Sequence, residues 1–199
     1  MLANKSRMTF AAVALLGLGL SGCATDQEAT KSDAKTETVK AAAVETKTAL
    51  PQQYFEAHKD GRIWVFGNEK LYKEFLAGKE IALVMTRIAA GPKRETVVFG
   101  LTKDESKKMP NLPQVALFEG KQEGAAEGFY GEIHKDGRHF VFDGWKEMKE
   151  FRHSGEAPYV FTYVGAGPKR ATVVYVRNKA QSKTAPDALI ARFRQFHGL

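Results

Sequence analysis

His58-Lys59-Asp60-Gly61-Arg62 returns as His134-Lys135-Asp136-Gly137-Arg138, and Gly91-Pro92-Lys93-Arg94 returns as Gly167-Pro168-Lys169-Arg170. Both recurrences fall at an offset of 76, and each Gly-Pro-Lys-Arg is followed by one variable residue and Thr-Val-Val. Aligned without a gap, residues 54–101 match 130–177 at 24 of 48 positions. The chain carries one unit twice, so its fold is read from a single copy.

In copy one, Tyr54 to Lys59 and Arg62 to Phe66 flank Asp60-Gly61. Asp-Gly between two β-prone runs signals a two-residue type I′ hairpin, in which both central residues need positive φ. Asn68 is placed to cap a short helix reaching about Ala77, with Tyr72, Phe75 and Leu76 on one side. In copy two, Asp143 is the expected cap, and Trp145, Met148 and Phe151 form the stripe. Ile81 to Ile88 and Glu95 to Leu101 are apolar runs around the Gly-Pro turn and read as a second, well-buried hairpin. The unit is ββαββ.

About 48 residues are marginal for an independent core. The expected fold is therefore α+β: two tandem ββαββ repeats (54–101 and 130–177) with antiparallel sheets sharing one core in a single domain, 51–199. Residues 102–129 join the copies, with Val115 to Phe118 read as an added edge strand. Residues 184–197 read as a C-terminal helix that packs Leu189, Ile190, Phe193 and Phe196 on the core.

The hairpin register pairs Lys59 with Arg62, His58 with Ile63 and Ala57 with Trp64. Alternation puts Phe55, Ala57, Trp64 and Phe66 on the core face and Tyr54, Glu56 and His58 on the other. Copy two repeats the pattern with Tyr130, Glu132 and His134, and there His134 faces His139. Opposed residues have Cβ atoms about 4.5–5.5 Å apart. Two imidazoles beside Glu132 form a candidate site for Zn²⁺ or Cu²⁺, and no other cofactor is indicated. The retained Tyr/Glu/His face is a candidate partner surface. Lys93, Arg94, Lys169 and Arg170 at the turns are candidate contacts for phosphate or carboxylate groups.

Other chemistry is scarce. There is no Gly-x-Ser-x-Gly elbow and no His-Glu-x-x-His helix. Gly165-Ala-Gly-Pro-Lys-Arg170 lacks the Gly-Lys-Ser/Thr ending of a phosphate loop. The leading expectation is a non-enzymatic binding or structural module, its partner an envelope protein or an anionic envelope glycan. A metal-binding protein or metalloenzyme is the second expectation, and a hydrolase with a cleft between the lobes is the third. Residues 51–199 hold 24 basic and 18 acidic residues, a modest excess without a dense basic stripe, and nucleic acid is not an expected partner.

The N-terminal residues locate the protein. Lys5 and Arg7 precede an apolar run from Met8 to Leu20, and Leu20-Ser21-Gly22-Cys23 follows. That order of charge, apolar stretch and small residues is a secretory signal, too short for a membrane-spanning helix. The last four residues resemble the lipobox of bacterial lipoproteins at every position. The resemblance implies removal of residues 1–22 and acylation of Cys23. Ala24 after it implies the outer membrane, facing the periplasm. Cys23 is the single cysteine of the chain, so no disulfide or thiolate site is available to the rest. Residues 23–50, rich in Thr, Lys, Glu and Ala without an aromatic, read as a tether.

His58-Lys-Asp-Gly-Arg-Ile-Trp-Val-Phe66 followed by a Lys/Glu/Phe helix also resembles the hairpin and helix of YHS-type modules over about 20 residues per copy. Those modules carry cysteine near this strand end, where this chain has Gly67 and Asp143.

Overall fold

The computed structural model describes residues 50–199. The expected signal, Cys23 and all of the tether but Leu50 lie outside the described residues. Copy one forms β1 (Gln53–Lys59), β2 (Arg62–Phe66), α1 (Glu69–Leu76), β3 (Val84–Arg87) and β4 (Thr96–Gly100). The connection holds α2 (Lys103–Ser106) and α3 (Pro113–Phe118). Copy two forms β5 (Tyr130–Lys135), β6 (Arg138–Phe142), α4 (Trp145–Ser154), β7 (Val160–Tyr163) and β8 (Thr172–Val176), and α5 (Asp187–His197) follows. Among the described residues no helix is long and apolar enough to cross a membrane.

The Asp-Gly turns form as their sequence dictates. Asp60 and Gly61 have φ of 53° and 70°, and Asp136 and Gly137 have 51° and 71°. Lys59 pairs with Arg62 and Lys135 with Arg138 in the expected register. Asn68 caps α1 by accepting from the Leu71 N–H at 3.1 Å. Asp143 does not cap α4. Gly144 holds that position without a side-chain bond, and the Asp143 carboxylate pairs with Arg177 instead.

All eight strands join one sheet in the order β3-β4-β2-β1-β5-β6-β8-β7. The class is α+β, but the sheet is mixed where antiparallel sheets were expected. After α1 the chain adds β3 at the edge and lays β4 into the gap beside β2, which makes β2 and β4 parallel. Copy two does the same with β6 and β8. The copies meet through a parallel β1–β5 pair. β4 and β8 are buried, whereas β3 and β7 are mostly exposed edge strands, so the second hairpin is only half buried.

One number decides how the copies pack. Gln53 lies opposite Tyr130, an offset of 77, whereas equivalent residues are 76 apart. A shift of one residue sends equivalent side chains to opposite faces. Tyr54 therefore points to one face and its equivalent Tyr130 to the other. The first face is covered by α3 and α4, which pack Val115, Leu117, Trp145, Met148 and Phe151 against Ile63, Val65, Val97 and Phe99. The second face is covered by α1 and α5, which pack Tyr72, Phe75, Leu189, Phe193 and Phe196 against Phe55, Phe66, Val141 and Tyr175. Each half of the core thus takes strands and helices from both copies. Each large apolar side chain buried there contributes about 1.5–3 kcal/mol.

Val115 to Phe118 is a helix, not an edge strand. Pro113 fits its first turn, and Val115 and Leu117 are buried. This helix corresponds to α5. Phe118 meets Phe99 edge-on at 5.5 Å, as Phe193 meets Tyr175 at 6.0 Å, and Phe99 and Tyr175 are equivalent positions. The repeated unit is therefore ββαββα, with a six-residue final helix in copy one and an eleven-residue one in copy two.

Candidate metal centre

Alternation along β5 places Tyr130, Glu132 and His134 on the second face, and cross-strand pairing sets His139 of β6 directly opposite His134. The rings of His134 and His139 lie 4.7 Å apart. His139 turns its Nδ1 to Glu132 Oε1 at 2.6 Å. In α5, His197 falls four residues after Phe193 and so continues the buried stripe. Its Nε2 lies 3.0 Å from Glu132 Oε2 and 3.2 Å from Oε1. The hydroxyls of Tyr72 and Tyr130 donate to the same carboxylate at 2.8 and 3.0 Å. Glu132 is fully enclosed and His139 is 3 % exposed.

Burial on its own would raise the Glu132 carboxyl. Hydrogen bonds from His139 and His197, and their charge, outweigh it and hold the group at about 2. It is a buried carboxylate anion. Burial and the adjacent carboxylate push the Tyr72 and Tyr130 hydroxyls far above their usual range, so both stay protonated donors. Burial, then the charge of His139, lowers His134. The ligand atoms of Glu132, His139 and His197 all lie within 4.8 Å of one another. Two imidazole nitrogens and one carboxylate oxygen are a donor set that suits Zn²⁺ or Cu²⁺.

The equivalent carboxylate on the first face, Glu56, sits in different company. It accepts from Tyr54 at 2.5 Å and pairs with Arg152 of α4, with His58 at 3.6 Å. The Arg152 guanidinium stacks on Phe118 at 4.5 Å and over Tyr54 at 5.5 Å. Burial opposes ionisation of Glu56, but the Arg152 charge and the His58 and Tyr54 hydrogen bonds hold its carboxyl below the ordinary value. Beside it opens a pocket of about 220 Å³ lined by residues of both copies, including His58, Lys93, Lys135 and Arg152. Three differences account for the contrast. Ile63 stands where copy two has His139. Leu76 of α1 stands where α4 has Arg152. Helix α3 stops at Phe118, so the turn that delivers His197 has no counterpart.

The expected trio is thus partly rearranged: Glu132 and His139 converge, His197 supplies the third donor, and His134 stands beside them. The partner surface expected from Tyr54, Glu56 and Tyr130 is corrected, because all three are buried under helices. The two Tyr/Glu/His sets lie on opposite faces and do not meet. Lys93, Arg94, Lys169 and Arg170 are exposed at the hairpin tips, as expected. The copies form one continuous sheet, so the pocket beside Glu56 is the nearest equivalent of an inter-lobe cleft. His197 does not stand out as a ligand in the sequence, because it follows the apolar stripe as a lone polar residue; its four-residue spacing from Phe193 is the signal that places it on the buried side.

Comparisons with protein-family models, with curated proteins and with solved structures find no match to this chain.

Proposed function

We propose that this chain is a lipid-anchored envelope protein whose duplicated domain is a binding module, and that it binds a divalent transition-metal ion, Zn²⁺ or Cu²⁺, through Glu132, His139 and His197. The observation that carries the reading is the convergence of three donor groups from three elements, their ligand atoms within 4.8 Å of one another. Tyr72 and Tyr130 support it, since metal-bound carboxylates are held in turn by outer hydrogen bonds. His134 is half-buried with its ring 4.7 Å from that of His139 and stands outside the three-donor cluster. The ion would replace the direct imidazole–carboxylate contacts, leaving the ligands on the strands and helix that already hold them.

The test is calorimetric titration of the full chain, stripped with chelator, with Zn²⁺ and with Cu²⁺. The expected result is one ion per chain and a melting temperature that rises with free metal. The His139→Ala, His197→Ala double variant should lose that uptake. A wild-type chain that takes up neither ion sinks the proposal whatever the variant does, and the cluster then serves folding alone.

A further inference from the structure

The strand register gathers all four hairpin turns at one end of the sheet. Arg62 lies beside Thr96 and Arg138 beside Thr172, so each Gly-Pro-Lys-Arg loop flanks an Asp-Gly turn of its own copy. The parallel β1–β5 pair, with Ala57 opposite His134, sets the two copies' turns side by side. Lys59 and Arg62 bracket the first turn, and Lys135 and Arg138 the second. The loops add Lys93 and Arg94, then Lys169 and Arg170. Seven of these eight cations are exposed, and among the described residues none has a carboxylate partner within 4.0 Å. Asp60, Asp136 and Glu95 lie among these cations, and the Glu95 carboxylate accepts from the Lys93 backbone N–H. The opposite end interleaves its charges, as in the Asp143–Arg177 and Asp104–Lys107 pairs.

A second feature sits among those cations. Ile88 and Val164, equivalent residues at the tips of the two loops, are each 85 % exposed. Ile88 directly follows β3 and Val164 directly follows β7, the two edge strands seven spacings apart, so the two side chains stand up to about 34 Å apart across the sheet. Two aliphatic points set among unpaired Lys and Arg match the interface of an anionic bilayer, where apolar side chains enter the headgroup boundary and cations meet lipid phosphates.

We propose that this end of the sheet is a docking surface for an anionic lipid bilayer. The surface rests on the reading of the chain as membrane-anchored, which supplies the bilayer. It is independent of the metal centre.

The test is hydrogen exchange on the full chain with phosphatidylethanolamine–phosphatidylglycerol vesicles, with phosphatidylcholine vesicles, and without lipid. Residues 88–95 and 164–171 should be protected at least tenfold by the anionic vesicles alone, and the protection should fade at high salt. The Ile88→Asp, Val164→Asp variant should lose it at an unchanged melting temperature, since both side chains are exposed. Equal protection in both lipids, or none in either, overturns the proposal. Protection by a soluble polyanion such as heparin that survives the Asp variant also overturns it and marks a polyanion site. Intact mass of Cys23 reports acylation separately, and an unacylated chain that still sediments with anionic vesicles keeps the surface while sinking the anchor.

Discussion

Glu56 and Glu132 hold the same place in the repeated unit, and the structure treats them differently. Glu132 is sealed under α5 with four donors around it, two of them imidazoles. Glu56 faces a guanidinium at the wall of an open pocket. The strands carrying them share Tyr-x-Glu-x-His-Lys, four of six residues. What separates the sites is one strand substitution, one helix substitution and the length of the helix that closes each unit. A duplicated scaffold can hold its sheet constant and diversify through its covering helices.

Removing each carboxylate tests that contrast most severely. Glu132→Gln should destabilise the chain by about 3–5 kcal/mol, because it breaks a buried charged network by deleting one partner. Glu56→Gln should cost about 1–3 kcal/mol, because the pocket admits water to the group left behind. Urea unfolding measures both, and equal losses would show that enclosure by α5 does not distinguish the sites.

Acid unfolding is the next discriminator. A carboxyl whose folded pKa lies below its unfolded value stabilises the fold above the unfolded value and loses that contribution as pH falls. For Glu132 the window runs from the ordinary value of 4.5 down to about 2. At 1.36 kcal/mol per unit the loss is about 3 kcal/mol. Stability followed from pH 6 to pH 2 should fall across that window, and Glu132→Gln should flatten the curve. The slope that remains belongs in part to Glu56, lowered in the same direction. A variant as acid-sensitive as the wild type would contradict this assignment.

The smallest effect should be the same in both copies. Gly61→Ala and Gly137→Ala each force a side chain onto φ near 70°, with nothing within 4 Å of the added methyl. Each should cost about 1–2 kcal/mol from backbone strain alone. Melting of the two variants should agree, and a clear difference would mean that the hairpins are not equivalent after all.

Much of this was legible in the residues. Asp60-Gly61 and its repeat dictated the hairpins and their register, and through the register the approach of Glu132, His134 and His139. Asn68 announced its helix. The parallel β1–β5 join was not legible, because inter-copy pairing depends on a register that no local pattern encodes. Without it the second face of each hairpin looked free, and Tyr54 and Tyr130 looked like surface residues. Val115 to Phe118 deceived for another reason: a short apolar run has no period to separate strand from helix, and its likeness to α5 emerges only from the contacts of Phe118 and Phe193.

The one-residue step between the copies has a further consequence. An exact twofold would carry each residue of β1 onto the residue opposite it in β5. Opposite residues in a sheet share a face, whereas a half-turn about the strand direction exchanges faces, so no exact twofold can produce this join. Two separate copies meeting in this way would form an asymmetric pair, one set a residue ahead of the other, outside the isologous symmetry usual for two identical subunits. Covalent linkage settles which copy leads. From then on, positions such as Ile63 and His139 never share an environment, and each can be selected for its own side of the sheet.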